Sequence, residues 1–213
     1  MIALVLRELR LAATGGHAVL PLAFFLLVAT LFPFAVGPDA PLLARTGAGA
    51  LWMAALLAAL LPIDRLIEPD LAGGVLDQLA VRGVSEENVA LAKLAGHWLS
   101  FGPPLMLAAL PAAALLKLPQ PVLVRLELGL LVGTPGLAAL SLITAALTAG
   151  LRSAGALGGL LMLPLAVPIL IFGAGLSGES GEMGALKLLG AVSLVMVAAC
   201  PFAVGAALRA ARD

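Results

Sequence analysis

The sequence predicts an all-α integral membrane protein with six transmembrane helices, an N-terminal interfacial helix and a short cytoplasmic helix (the coupling helix) between spans two and three. Three observations predict this class. Charged residues form 11% of the 213 residues, whereas a soluble domain carries about 25%. The mean hydropathy is +1.14. Finally, Asp, Glu, Lys and Arg are absent from six stretches, and each stretch reaches the length of about 18 residues that crosses a ~30 Å hydrocarbon core.

The first predicted element precedes the first span. Arg7, Glu8 and Arg10 interrupt an otherwise apolar stretch there. A cleaved signal peptide is the competing interpretation, but its basic region should run directly into a short apolar core and a cleavage site. Here a full-length apolar run follows instead. We therefore favour an amphipathic helix at the membrane interface.

The six spans follow from the charge-free stretches and belong to one domain, because no Ser/Gly linker or repeat divides residues 1–213. We place the spans at approximately residues 18–37, 46–63, 94–116, 128–151, 154–176 and 187–208. Residues 64–93, between spans two and three, carry nine charges. At about 2.5–3.5 kcal/mol for each charge at mid-membrane, inserting this segment would cost more than ~20 kcal/mol. It therefore lies outside the bilayer.

The distribution of Lys and Arg predicts the orientation. Six spans put eight of these residues on the side of both termini: Arg7, Arg10, Arg65, Arg82, Lys93, Arg152, Arg209 and Arg212. The other side has four: Arg45, Lys117, Arg125 and Lys187. Because Lys and Arg are enriched in cytoplasmic loops, we expect both termini in the cytoplasm.

The charged segment contains a predicted amphipathic helix at residues 68–82. Pro69 suits a first helical position, and Gly83 suits a stop. On a helical wheel, one side gathers apolar residues, and the other gathers Asp70, Gly73, Gly74, Asp77 and Gln78. This helix is either a solvated connection or a coupling helix that docks on a cytoplasmic partner through Glu68, Asp70, Gly73, Gly74 and Asp77. Ser85 is the predicted N-cap of the next helix.

Missing motifs exclude several chemistries. Cys200 is the only cysteine, so neither an intrachain disulfide nor a multi-cysteine metal site is possible. There is no C-x-x-C-H, so no haem is bound covalently, and no H-E-x-x-H. None of the three lysines follows a glycine, so the chain has no G-x-x-x-x-G-K-[ST] nucleotide loop. The net charge of zero gives no indication of a nucleic-acid partner. The sequence thus predicts a protein that is not an enzyme.

Stretches from the first span to the last carry a family resemblance. They lie at residues 31–38, 42–45, 91–93 with 97–98, 133–135, 163–172 and 201–209, beside the Gly-Gly and Val-Leu-Asp-Gln-Leu of the coupling helix. With these stretches the chain resembles ABC-2-type exporter permeases, and more closely the haem exporter B permeases of the bacterial cytochrome c maturation (system I) complex. The 177–187 loop matches little of the family pattern.

The resemblance implies a multi-pass permease subunit of the bacterial inner membrane. Its partners would be a cytoplasmic ATPase subunit, other membrane subunits of the complex, membrane lipid, and haem as a transported or transiently contacted ligand. Two alternatives stay open. One is an ABC-2-type exporter of another substrate (lipid, polysaccharide or drug), and the other is a membrane scaffold that transports nothing.

A few polar residues are candidates for contact with haem or with the membrane interface. His97 and Trp98 begin the third apolar stretch, where an aromatic residue is commonly an interface anchor. His17, at the start of span one, has the same two interpretations. Ser141, Thr144 and Thr148 recur at helical spacing and either line a polar path or bond their own helix. Arg45, with Lys117 and Arg125 on the same side, either attracts haem propionates or is simply solvated.

Overall fold

The computed structural model describes residues 2–14, 19–151, 154–177 and 182–212, and none of these residues forms a β-strand. Ten helices are described, in the order α1 (Ile2–Thr14), α2 (Val19–Val36), α3 (Ala40–Leu60), α4 (Ile63–Leu66), α5 (Glu68–Ala72), α6 (Val75–Val81), α7 (Glu86–Leu115), α8 (Gln120–Thr148), α9 (Ala154–Gly175) and α10 (Glu182–Arg212). The predictions made for His17 and Arg152, and for residues 178–181 of the 177–187 loop, lie outside the described residues.

Six of the described helices, α2, α3, α7, α8, α9 and α10, are long and apolar enough to cross a membrane. The prediction of an all-α membrane protein with six spans is therefore confirmed. The helices differ in burial. In an apolar 18-residue segment of each helix, 72% of α8 and 61% of α3 are buried, against 17% of α2 and 22% of α9. α8 and α3 thus form the centre of the bundle. The outer helices present their apolar side chains outward, which is favourable only in lipid or against another protein.

The centre of the bundle is built around Trp52 of α3, whose side chain is 1% exposed. Glycines of α8 and α9 surround its indole ring. A Cβ atom on Gly173 would lie 2.5 Å from the ring atom Cε2, and one on Gly133 would lie 2.6 Å from Cη2. Because both distances are far below a van der Waals contact, the three helices approach this closely only where a side chain is missing.

The segment between spans two and three differs from its prediction. The prediction of a single helix at residues 68–82 is wrong, because two short helices, α5 and α6, occupy this region. The break lies at Gly74, whose φ of +66° is a left-handed conformation that glycine adopts without strain. In contrast, Ser85 caps α7 as expected, and its Oγ accepts a hydrogen bond from the Asn88 N–H at 3.4 Å.

Contacts between distant segments bring α1, α5, α6, the start of α7 and the end of α10 to one end of the bundle, called here the charged end. Glu68 Oε2 accepts a hydrogen bond from the backbone N–H of Gly150, just after α8, at 2.7 Å. Arg209 of α10 pairs with Glu87 of α7 at 2.6 Å. Helix α1 packs along α7. The charged end is therefore held together by polar contacts rather than by apolar packing alone.

Candidate functional site at the charged end

A cluster of four charged side chains joins three segments of the charged end. Asp70 of α5 receives two hydrogen bonds from the guanidinium of Arg7 in α1, one of them at 3.1 Å. It also pairs with the Lys93 ammonium of α7 at 2.5 Å. Glu8 of α1 completes the cluster, at 2.7 Å from Arg7 and 3.3 Å from Lys93. The Lys93 ammonium further donates to the carbonyl oxygen of Leu66 at 2.9 Å.

The two central members of this cluster are buried. The side chains of Lys93 and Asp70 are 5% and 8% exposed. Burying such charges is costly unless each is paired and hydrogen-bonded. Burial acts to raise the pKa of Asp70, but the hydrogen bond from Arg7 and the charge of Lys93 outweigh it, so the pKa lies below its usual value. The hydrogen bond to Asp70 likewise raises the pKa of Arg7. Both groups are therefore charged at neutral pH.

A cavity of about 140 Å³ lies beside the cluster. It is lined by the four clustered side chains and by Arg65, His97 and Phe101, among others. His97 is 7% exposed, and its ring stacks on Phe101 with 5.8 Å between the centroids. Its Nε2 atom is buried without a hydrogen-bond partner. A satisfied ion cluster and a histidine whose enclosed ring nitrogen has no partner thus lie side by side at the cavity.

Gly96 of α7 allows α1 to lie against this cavity. A Cβ atom on Gly96 would lie 2.4 Å from Cβ of Glu8. Any larger residue at position 96 would push α1 away and lengthen the contact between Glu8 and Lys93. The glycine therefore sets the distance between the two helices at the cluster.

The structure does not bring His97, Trp98 and Arg45 into one site. Trp98 is half-buried and turns away from the cavity, where its Nε1–H donates to Thr134 Oγ1 of α8 at 3.1 Å. Arg45 is exposed near the start of α3, at the opposite end of that helix from the cavity. The three side chains therefore do not form a common binding site.

The hydroxyls of α8 bond to backbone carbonyls. Ser141 donates to Leu137 at 2.9 Å and to Ala59 of α3 at 3.0 Å. Thr144 and Thr148 donate to the residues four positions earlier, each at 2.8 Å. All three side chains are buried. These hydroxyls therefore tie α8 to itself and to α3, as the second of the two interpretations of their spacing expects.

The five residues predicted to dock on a partner fall into two groups. Asp70 lies in the buried cluster and Glu68 bonds to Gly150, so both carboxylates face inward. Gly73 and Asp77 are exposed, and Gly74 is half-buried at the turn between α5 and α6. Gln78, which the helical wheel places on the same side, is exposed as well, and so are two residues that the wheel did not single out, Val81 and the C-cap residue Arg82. Val81 is 89% exposed, which is unusual for an apolar side chain at a polar end of the bundle.

Sequence reasoning missed the roles of Arg7, Glu8 and Lys93. Arg7 is 63 residues from Asp70 along the chain, and Glu8 is 85 residues from Lys93. No spacing rule connects residues so far apart. The one available signal was energetic: a lysine at the entrance to an apolar run requires a counter-charge. Among the described residues, no cluster of His, Cys, Asp and Glu has the geometry of a metal site.

Comparison with known proteins covers nearly the whole chain. The sequence profile of the CcmB protein family matches residues 1–211. Heme exporter protein B of Rhodobacter capsulatus is 48% identical over 98% of both chains. The protein of the same name from Paracoccus denitrificans is 47% identical over 98% of both chains. Heme exporter protein B of Escherichia coli is 41% identical over 95% of this chain and 94% of its own length.

Proposed function

This chain belongs to the CcmB protein family, and from that premise we propose that it is the permease subunit of an ABC transporter complex. The complex would export or deliver haem to the periplasm for the biogenesis of c-type cytochromes. The observation that carries the proposal is the similarity, over nearly the full chain, to proteins named Heme exporter protein B. The six apolar helices support it, because a permease must cross the membrane.

We infer that ATP is hydrolysed on a separate cytoplasmic subunit, since this chain has no nucleotide-binding loop. The outward face of α5–α6 is the proposed docking surface for that ATPase. It consists of Gly73, Gly74 and Asp77 with the exposed Val81. The glycines let a partner backbone approach closely, Val81 offers an apolar contact, and Asp77 contributes charge.

The inward carboxylates give this docking surface a route into the bundle. Asp70 connects α5 to α1 and α7 through Arg7 and Lys93. Glu68 connects α5 to the turn after α8 through Gly150. Movement of α5–α6 by the ATPase would therefore act directly on α1 and on the ends of two membrane helices, α7 and α8. This mechanism assigns Asp70 and Glu68 to transmission and Asp77 to docking.

The proposed location is the bacterial inner membrane, with both termini in the cytoplasm. The charged end carries Arg7, Arg65, Arg82, Lys93 and Arg209, whereas the opposite end carries Arg45, Lys117, Arg125 and Lys187. Cytoplasmic loops are enriched in Lys and Arg. Docking of a cytoplasmic ATPase on α5–α6 requires the same orientation, so the two proposals support each other.

Deletion of the gene tests the transport function. We expect the deletion strain to lose c-type cytochromes, detected on gels by a stain for covalently bound haem, and to regain them with the wild-type gene. Normal c-type cytochromes in the deletion strain would overturn the haem assignment. They would instead favour an ABC-2-type exporter of another substrate or a scaffold.

The Asp77→Lys variant tests docking. A charge reversal at a complementary interface costs several kcal/mol, so we expect at least about tenfold less co-purified ATPase and a loss of cytochrome maturation. Lys187→Glu is the matched control, because Lys187 is exposed near the start of α10, at the opposite end of the bundle. Wild-type complex assembly and maturation in Asp77→Lys would refute this docking surface.

A further inference from the structure

The cavity beside His97 has one positive charge more than its own carboxylates neutralise. Three cations line it, Arg7, Arg65 and Lys93, with two carboxylates, Glu8 and Asp70. Both carboxylates are engaged with Arg7 and Lys93. Arg65 is exposed, and none of the ion pairs found between described residues includes it. The cavity therefore has the charge balance of a site for one anionic group.

His97 provides a second unused interaction in the same cavity. Its Nε2 atom is buried and has no hydrogen-bond partner, although buried polar atoms in proteins are nearly always paired. A ring nitrogen that carries its proton donates a hydrogen bond. The ring lines the cavity, and a rotation that turned the enclosed Nε2 toward it would let a phosphate oxygen accept that bond while facing Arg65.

Apolar surface extends from the cavity in two directions. One neighbouring cleft lies along α1 and includes Leu6 and Leu11. Another includes Leu20 of α2 and Leu61, and shares Arg65 with the cavity. Leu6, Leu11 and Leu20 are all more than 40% exposed. Basic residues beside exposed leucines match a molecule that has an anionic head and hydrocarbon chains.

We propose that this cavity binds the phosphate of an anionic phospholipid, with Arg65 and His97 as the phosphate contacts and the acyl chains against α1 and α2. A cavity of about 150 Å³ accommodates a molecule the size of benzene. A space of about 140 Å³ therefore has room for a phosphate group. The bound lipid would hold α1 against α7 beside the ion cluster. This inference does not depend on the haem assignment.

Native mass spectrometry of the full-length chain in detergent tests the proposal. Phosphatidylglycerol and phosphatidylcholine with identical acyl chains are added in parallel. Since one Lys or Arg near a membrane surface contributes about 1 kcal/mol of attraction to anionic lipid, phosphatidylglycerol should bind about fivefold more tightly. Arg65→Gln should remove this preference, and His97→Phe, which keeps a stacking ring, should weaken phosphatidylglycerol binding. Arg82→Gln is the control, because it removes an exposed arginine at the C-cap of α6, outside the cavity.

Several results would overturn the proposal. Equal binding of the two lipids by the wild-type chain would do so. An equal loss of the preference for phosphatidylglycerol in Arg65→Gln and Arg82→Gln would do so as well. Displacement of phosphatidylglycerol by the same concentration of inorganic phosphate would show a free-phosphate site instead of a lipid site. Circular dichroism of each variant checks its folding. If Arg65→Gln unfolds, the test is the affinity of His97→Phe for phosphatidylglycerol compared with that of Arg82→Gln, and equal affinities would overturn the proposal.

Discussion

Replacement of Asp70 by Asn tests the ion cluster most directly. The change removes the more deeply buried of the two carboxylates that contact both Arg7 and Lys93. Lys93, at 5% exposure, would keep only Glu8 at 3.3 Å and the Leu66 carbonyl. Breaking a buried ion pair typically costs 3–5 kcal/mol. We expect the lower end, about 3 kcal/mol, because Glu8 still compensates part of the lysine charge and Arg7 is 33% exposed.

The free energy of unfolding is measured by circular dichroism during titration with sodium dodecyl sulfate in mixed micelles. Asp77→Asn is the matched control, because Asp77 is exposed on α6, and it should stay within about 0.5 kcal/mol of wild type. The double variant Asp70→Asn/Lys93→Met should regain much of the lost stability, since an apolar residue needs no counter-charge. A cost for Asp70→Asn no larger than that for Asp77→Asn would refute the reasoning, as would strictly additive effects in the double variant.

The pH dependence of stability follows from the same cluster. The pKa of Asp70 in the folded chain is below its usual value, and an unfolded Asp has a pKa of about 3.9. The contribution of Asp70 is therefore complete above about pH 4, and is lost as the pH falls through the folded pKa. We expect the stability of the wild-type chain to fall more steeply in acid than that of Asp70→Asn. Parallel curves would contradict this assignment.

Two further predictions concern the packing of the bundle. Gly173→Ala should destabilise the chain by about 1–3 kcal/mol, because its Cβ would lie 2.5 Å from the Trp52 ring, whereas Gly159→Ala in the same helix meets nothing within 4 Å and should not. Equal stability of the two variants in the same titration would refute the glycine cradle. Trp98→Phe should cost about 1 kcal/mol by removing the hydrogen bond to Thr134. In the double variant, Thr134→Val should add little to the cost of Trp98→Phe, because the hydrogen bond is already lost. If the costs of the two single variants were fully additive, the bond would contribute nothing to stability.

The number of spans, the cap of α7 and the membrane class could be predicted from the sequence. Each depends on neighbouring residues only: a charge-free run of sufficient length, or a serine three positions before the N–H that it accepts from. The family was also recognisable in advance, because its stretches lie along the whole chain. Local patterns of this kind survive in any tertiary arrangement.

The coupling segment required the tertiary structure. The helical wheel placed Asp70 and Asp77 on one face, which is true only of an uninterrupted helix. Gly74, at a φ of +66°, separates the two residues into different helices. Asp70 then turns inward and Asp77 stays at the surface.

The sequence by itself thus predicted that the nine charges between spans two and three lie outside the membrane, because their transfer into lipid is too costly. Only the tertiary structure decided which of them lie at the surface and which hold the bundle together. An ion pair between residues 63 positions apart depends on how whole helices pack, and that packing is set by sites of close approach such as Gly96, beside Glu8, and Trp52, among the glycines of α8 and α9.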